Sequence, residues 1–242
     1  MQAECRSLLG LLIWVSEAYP QIKYTVNFAC GYMAEPSMSV YVVAKLALLH
    51  IYAFPTTVTW GGPGCTSLES VETIQRPFSA EGLRIYSLHM FSDANVDDKS
   101  ITGGVMMLAG GAILSLSQRQ HLVSPDSHTS EVNAAGTCTN RIQTIREVLQ
   151  ELYIQQIHPT PLYLDSLSTT FVAADKGSVK RSQHNLRRVA VLTQATEMGD
   201  IIPIHISEKD MVADGLTKPL PRSTRLRHMA YTHNYTSNLN GT

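Results

Sequence analysis

From Ser130 onward, Val132, Ala135, Cys138, Ile142, Ile145, Leu149 and Leu152 step by three and four, the spacing of a one-sided helix. Just before that run, Val105-Met-Met-Leu108 and Ala112-Ile-Leu114 flank the double glycine Gly110-Gly111, the pattern of a tight hairpin. A chain with these neighbours must lay a long helix, 130–153, on strands that pair antiparallel, predicted at 84–92 and 103–117. Further on, Leu162-Tyr-Leu164 reads as a short buried strand, 167–175 and 183–198 as helices, and Ile201–Ile206 as a last strand. Pro203 inside that last run removes a ladder donor and assigns it to a sheet edge. A final helix is predicted to start near Lys209. Strands first paired by hairpins and then joined through helices imply an α/β fold with a mixed sheet and right-handed crossovers.

The N-terminal part is different. Leu8, Leu11, Leu12 and Val15, and then Val42, Leu46, Leu49 and Ala53, recur at helical spacing, with Tyr19-Pro20 and Glu35-Pro36-Ser37 as breaks, so 1–54 reads as two or three helices. From 55 to 81 the composition shifts to Pro, Gly, Thr and Ser around Trp60-Gly-Gly-Pro-Gly64, which reads as a linker. The α/β domain is predicted at 82–230, and 231–242 as a disordered tail.

Charged residues make up 16% of the 242, against about 25% in ordinary globular proteins. With 19 Lys and Arg against 20 Asp and Glu, no global basic field announces a nucleic-acid partner, and any such partner must be held locally. Cys5, Cys30, Cys65 and Cys138 form no Cys-x-x-Cys pair, which argues for free thiols rather than a zinc or redox motif. Leu8–Val15 has the length of a signal h-region and Asn234 and Asn240 open glycosylation sequons. However, Glu4 offsets Arg6 and no clean small-x-small cleavage site follows, so an intracellular chain, cytoplasmic or nuclear, is expected. No apolar run reaches the roughly 18 residues of a spanning helix, and no membrane partner is expected.

Asp93 follows the first predicted strand and Asp165 the fourth, both at carboxyl ends, where open α/β sheets place their ligands. Glu131 falls in the first turn of the long helix and Asp214 early in the last one. Four converging acids raise one another's pKa and call for a cation. An all-oxygen set suits Mg²⁺ or Mn²⁺, and two such ions serve phosphodiester hydrolysis.

Several motifs resemble the C-terminal part of the Pol polyprotein of copia-type LTR retrotransposons, the end of reverse transcriptase followed by ribonuclease H. Arg6-Ser-Leu-Leu-Gly10, Tyr19-Pro20, Val26-Asn27, Tyr32-Met33, Pro36 and Ala44-Lys45 resemble the segment joining polymerase to nuclease. Ser92-Asp-Ala94 with Lys99-Ser-Ile-Thr-Gly103 resembles the first nuclease strand and hairpin, Asp165-Ser166 the broader ribonuclease H pattern, and Ala213-Asp214 with Thr217-Lys-Pro-Leu220 the closing motif. The resemblance implies a ribonuclease H-like mixed five-stranded sheet with flanking helices, preceded by a small helical segment. It implies a metal-dependent endonuclease that cuts the RNA strand of RNA–DNA hybrids, with Asp93, Glu131, Asp165 and Asp214 as catalytic metal ligands and Mg²⁺ or Mn²⁺ as cofactor. It also implies hybrid contacts at Ser166, Arg181, His184 and Lys218, with the polymerase part of a Pol polyprotein, or a larger assembly, as partner. Arg222, Arg225 and Arg227 add positive charge nearby, either for the hybrid or as a solvated helix end.

The sequence departs from that pattern. Asn95-Val96 stands where the family has Asp-Trp, the loop to Lys99 is shorter, and Thr129-Ser-Glu-Val-Asn133 keeps one Glu where the family has two. No Tyr-x-Asp-Asp stretch is present, so DNA synthesis is not expected of this chain. Two functions stay open: an active ribonuclease H, and a domesticated or degenerate ribonuclease H fold acting as a non-catalytic binding or structural subunit.

Overall fold

The computed structural model describes residues 1–54, 58, 60, 88–95, 100–120, 124, 126–174 and 186–233. The linker expected at 55–81 lies almost wholly outside the described residues, as do Lys99, Arg181, His184 and 234–242.

Three helices come first: α1 (Gln2–Ala18), α2 (Pro20–Cys30) and α3 (Met38–Ala53). The two sequence breaks fall where expected, since Pro20 opens α2 at a position that needs no N–H donor, and Ser37 caps α3 by accepting from the Val40 N–H at 3.4 Å. Cys5, Leu9, Leu12, Ile22, Val26, Ala29, Ala44 and Ala47 form their shared core. In α3 the small residues Ala44 and Ala47 face inward, and the stripe Val42, Leu46, Leu49 faces out at 47%, 57% and 58% exposure. Helical spacing alone does not say which of two apolar faces is buried.

The sheet has the order β3-β2-β1-β4-β5, built from β1 (His89–Ala94), β2 (Ile101–Leu108), β3 (Gly111–Arg119), β4 (Thr160–Leu164) and β5 (Ile201–His205). β1, β2 and β3 pair antiparallel, while β1 with β4 and β4 with β5 pair parallel. This is the mixed five-stranded sheet that the sequence implied. Ala109 (φ 53°) and Gly110 (φ 82°) turn the hairpin, one residue earlier than the double glycine suggested, because Gly111 already pairs with Leu108. Pro203 sits in edge strand β5, as its missing donor requires.

Helices α4 (Ser127–Glu151), α5 (Leu167–Ala173), α6 (Leu186–Glu197) and α7 (Arg222–His233) complete the α-helices described. α4 begins three residues before the expected position because Asp126 caps it, accepting from the Thr129 N–H at 2.7 Å. Its apolar stripe covers one sheet face, packing Val132, Ala135, Cys138 and Ile142 on Met90, Met106, Leu162 and Leu164. On the other face Phe91, Val105, Met107 and Tyr163 meet Met211, Val212, Ala213 and Leu216.

The helix expected from Lys209 is a correction. Two 3₁₀ turns, Glu208–Asp210 and Val212–Leu216, occupy its place, and the α-helix starts only at Arg222. Gly215, Pro219 and Pro221 explain this, since each opposes a continuous helix in the interval. α7 in turn runs through His233, three residues into the expected tail.

The helical segment is tied to β3. The Lys23 ammonium, nearly buried, donates to Glu17 Oε2 at 2.6 Å and to the Ser115 carbonyl at 2.8 Å, and Asn27 Nδ2 donates to Ser117 Oγ at 3.3 Å. Gly103 in β2 joins sheet and 3₁₀ turn: a Cβ there would stand 2.6 Å from Thr217 Cγ2 and 2.8 Å from the Ala213 carbonyl oxygen. Gly103→Ala is therefore expected to cost about 1–3 kcal/mol of stability by overpacking, read from the midpoint of urea unfolding.

Candidate metal centre

β1 and β4 are parallel neighbours, so their carboxyl ends open at the same edge of the sheet. Asp93 is the fifth residue of β1 rather than the residue after it, and it shares a face with Phe91 because side chains alternate along a strand. Asp165 follows the last residue of β4 directly. Asp214 comes from the second 3₁₀ turn, not from a helix, and the turn rests on the same face as Asp93. Carboxylate oxygens of Asp93, Asp165 and Asp214 lie within 4.8 Å of one another. Glu131 lies in the second turn of α4, one turn later than expected, and stands beside this trio without joining it so closely.

The electrostatics follow from burial and crowding. Glu131 is pushed up to about 9 by burial first, then by the charges of Asp93 and Asp165, against a bond from the Ala94 N–H. Asp214 rises to about 7 through burial and Asp93, with Lys218 pulling the other way. Asp165 rises to about 6, again through burial and then Asp93. Three of the four carboxyls thus resist ionisation, through burial first and mutual repulsion second.

Thr217 steadies the centre. Its hydroxyl lies 2.5 Å from Asp93 Oδ2 and 3.1 Å from the Asp214 carbonyl oxygen, and the residue is fully buried. Sequence reading placed Thr217 in a motif but gave it no role, and only the packing of the 3₁₀ turn on β2 reveals one. Two histidines were also missed. His205 Nε2 is 3.1 Å from the Asp165 carbonyl oxygen, and His128 Nδ1 is 3.2 Å from Ser168 Oγ.

The expected nucleic-acid contacts are scattered in kind. Ser166 caps α5, accepting from the Thr169 N–H at 3.3 Å and the Thr169 hydroxyl at 3.0 Å. Lys218 is engaged within the centre, with its ammonium 3.1 Å from Asp214 Oδ1 and 3.8 Å from Glu208 Oε1. Arg181 and His184 lie outside the described residues. Arg222 and Arg225 sit in the first turn of α7, the end where cations are disfavoured, and Arg227 pairs with Asp210 at 2.9 Å. The reading of these arginines as a helix end favourable to cations is thereby overturned.

The chain is similar to two curated proteins of Arabidopsis thaliana. It is 27% identical over 224 residues, 90% of its length, to the retrovirus-related Pol polyprotein from transposon RE2. It is 26% identical over 225 residues, 91% of its length, to that from transposon RE1. The resemblance to retrotransposon Pol polyproteins read from the motifs therefore extends through nearly the whole chain, which spans 14% of the length of each relative. No family model matches. Among solved structures, LC11-RNase H1 in complex with an RNA/DNA hybrid aligns with 54% of this chain and 94% of its own, at 13% identity and a TM-score of 0.45. Among the described residues no helix is long and apolar enough to cross a membrane.

Two outcomes test the centre. Without divalent ions the native chain keeps protons on Glu131, Asp214 and Asp165 up to about pH 9, 7 and 6, whereas an unfolded chain releases them near 4.5 and 3.8. The native state then binds more protons between those limits, so metal-free stability falls as pH rises from about 4 to 9. The midpoint of thermal unfolding should drop accordingly, and millimolar Mg²⁺ or Mn²⁺ should raise it more at the alkaline end. Thr217→Val removes the bond to Asp93 at constant shape and is expected to lower stability by about 1.5–3 kcal/mol, read by urea unfolding with the metal absent.

Proposed function

We propose that the chain is a metal-dependent ribonuclease H-type nuclease that cuts the RNA strand of RNA–DNA hybrids. One observation carries the reading: three carboxylates from β1, the end of β4 and the 3₁₀ turn converge within 4.8 Å where two parallel strands end, with Glu131 beside them. The Pol polyproteins it resembles and its ribonuclease H-like sheet support the same conclusion.

The donor set fits a hard divalent cation, because it is all oxygen, buried on one side, and raised in pKa by its own crowding. Asp93, Asp165 and Asp214 would hold the ion or ions, with Glu131 completing the set. When bound, Mg²⁺ or Mn²⁺ supplies Lewis acidity to a phosphodiester and to the attacking water. The protein's own contribution is orientation and proton handling. Thr217 holds one oxygen of Asp93 and so limits how that carboxylate can turn. Glu131, raised to about 9 by burial and its acidic neighbours, would have to release a proton to serve as a ligand, which would couple metal binding to pH. Lys218 holds Asp214 in place from outside the trio. A hybrid is read by shape and 2′-hydroxyls, so no base-reading element is required. The products would carry a 5′-phosphate and a 3′-hydroxyl.

The second reading, a domesticated or degenerate fold used for binding, is favoured by the same lysine. An ammonium 3.1 Å from Asp214 already offsets part of the charge a cation would meet.

Cleavage of a labelled RNA–DNA hybrid with and without Mg²⁺ decides between them. Wild type should cut only with metal, and Asp165→Asn should cut at least 100-fold more slowly, the order of loss seen when one strong electrostatic contribution to a transition state is removed. A folded chain that binds hybrid and never cuts supports the second reading.

A further inference from the structure

More than half of the large apolar side chains that stand exposed among the described residues belong to 1–54, and α3 carries a continuous stripe of them. At about 100° per residue, Met38, Val42, Leu46, Leu49 and Tyr52 fall within about 120° of the helix surface, opposite Ala44 and Ala47, which face the helical core. Met38 is 59% exposed and Tyr52 87%, with the other three near half. A side chain of this size has on the order of 200 Å² of surface when fully open, so the five leave about 600 Å² uncovered. That matches or exceeds the largest apolar patch of a typical monomeric protein, about 300–600 Å².

The chemistry of the stripe narrows its partner. α3 has no acid and a single cation, Lys45, whose ammonium is drawn back to 4.4 Å from the centre of the Tyr41 ring. A charged partner would therefore meet no counter-charge here, whereas a copy of the same face would meet no repulsion. Helices that lie on lipid carry a strongly charged second face, and the second face of α3 is apolar and packed on α1 and α2. Two such stripes laid on each other would cover about 1,200 Å² in all, the size at which stable specific interfaces begin. The helical segment docks on the sheet through α2 and β3, which leaves the stripe open for that contact.

We propose that two copies of the chain pair through this outer face of α3, in a twofold dimer in which each stripe covers the other. Because both copies use the same patch, the association closes at two. The proposal is independent of the nuclease reading, since it concerns the helical segment and none of the four acids.

The test is sedimentation equilibrium of the full chain, under a reductant that keeps its cysteines from cross-linking copies, at concentrations from about 0.1 to 100 µM. The weight-average mass of the wild type should climb from 26.7 kDa to twice that value and stop there. Leu46→Gln/Leu49→Gln places four polar amides in the paired stripes and is expected to weaken the dimer at least about 100-fold. Leu46→Met/Leu49→Met keeps the face apolar and should keep the dimer. Leu152→Gln, at an exposed apolar position just beyond α4, should also keep it. Thermal unfolding checks the fold: the wild-type midpoint should rise with concentration, and the Gln variant should match the most dilute wild type at every concentration. A wild type that stays at the monomer mass overturns the proposal, and so does growth past the dimer. A dimer that survives Leu46→Gln/Leu49→Gln overturns it as well. A monomer that binds phosphatidylcholine vesicles only while Leu46 and Leu49 are present overturns it and assigns the stripe to a lipid surface.

Discussion

The cost of burying four neighbouring carboxylates is the constraint around which the α/β part of this protein is organised. Asp93, Asp165, Asp214 and Glu131 are each brought out of bulk water, and burial is the largest cause of the raised pKa wherever one is resolved. A chain gains nothing in stability from such an arrangement, so the rest of the fold must hold it. It does so by placing each acid on a separate rigid element: the interior of β1, the end of β4, the second turn of α4 and a 3₁₀ turn. The elements are locked by apolar packing on both sheet faces, which tolerates the strain of the acids because neither core cluster contains one.

Much of this is legible in the amino-acid sequence. The hairpin, the long helix and the proline in the last strand fixed a mixed sheet with β5 at its edge, because period and punctuation are local signals. The acids were picked out by their positions at element ends, and three of the four do come within 4.8 Å. What escaped was set by tertiary contacts. Asp214 was expected in a helix starting near Lys209, but Gly215, Pro219 and Pro221 oppose a continuous helix and 3₁₀ turns stand in its place. Glu131 moved from the first turn to the second because Asp126, not counted as a cap, starts α4 earlier. Lys218 read as a cation for nucleic acid, yet lies against Asp214, since a buried carboxylate attracts the nearest ammonium i+4 along its own segment.

The N-terminal helices pose a different problem, one of attachment. Their core contains only small and medium side chains, and α3 turns Val42, Leu46 and Leu49 outward. The link to the sheet is polar where it is most buried: Lys23 reaches both Glu17 and the Ser115 carbonyl of β3. A nearly buried ammonium is costly unless each of its donors is satisfied, so this contact specifies one docking position rather than adding much net stability. Register matters here, because a one-residue slip of β3 would turn Ser115 to the opposite face and leave the ammonium with Glu17 as its partner.

The same logic joins the docking of the helices to the chemistry of the acids. β3 carries Ser115 and Ser117 toward α2, and Ser117 Oγ in turn donates to the Leu216 carbonyl at 2.7 Å, in the 3₁₀ turn that presents Asp214. β2, paired to β3 on one side and to β1 on the other, places Gly103 beneath Thr217, and Thr217 holds Asp93. A continuous set of polar contacts therefore runs from α2 through β3 to the turn and on to the first carboxylate. Because the turn has no regular helical ladder of its own, these contacts set where Asp214 stands relative to Asp93. The geometry of the acids is thus a property of the assembled sheet and its N-terminal helices, not of the turn that carries the fourth acid.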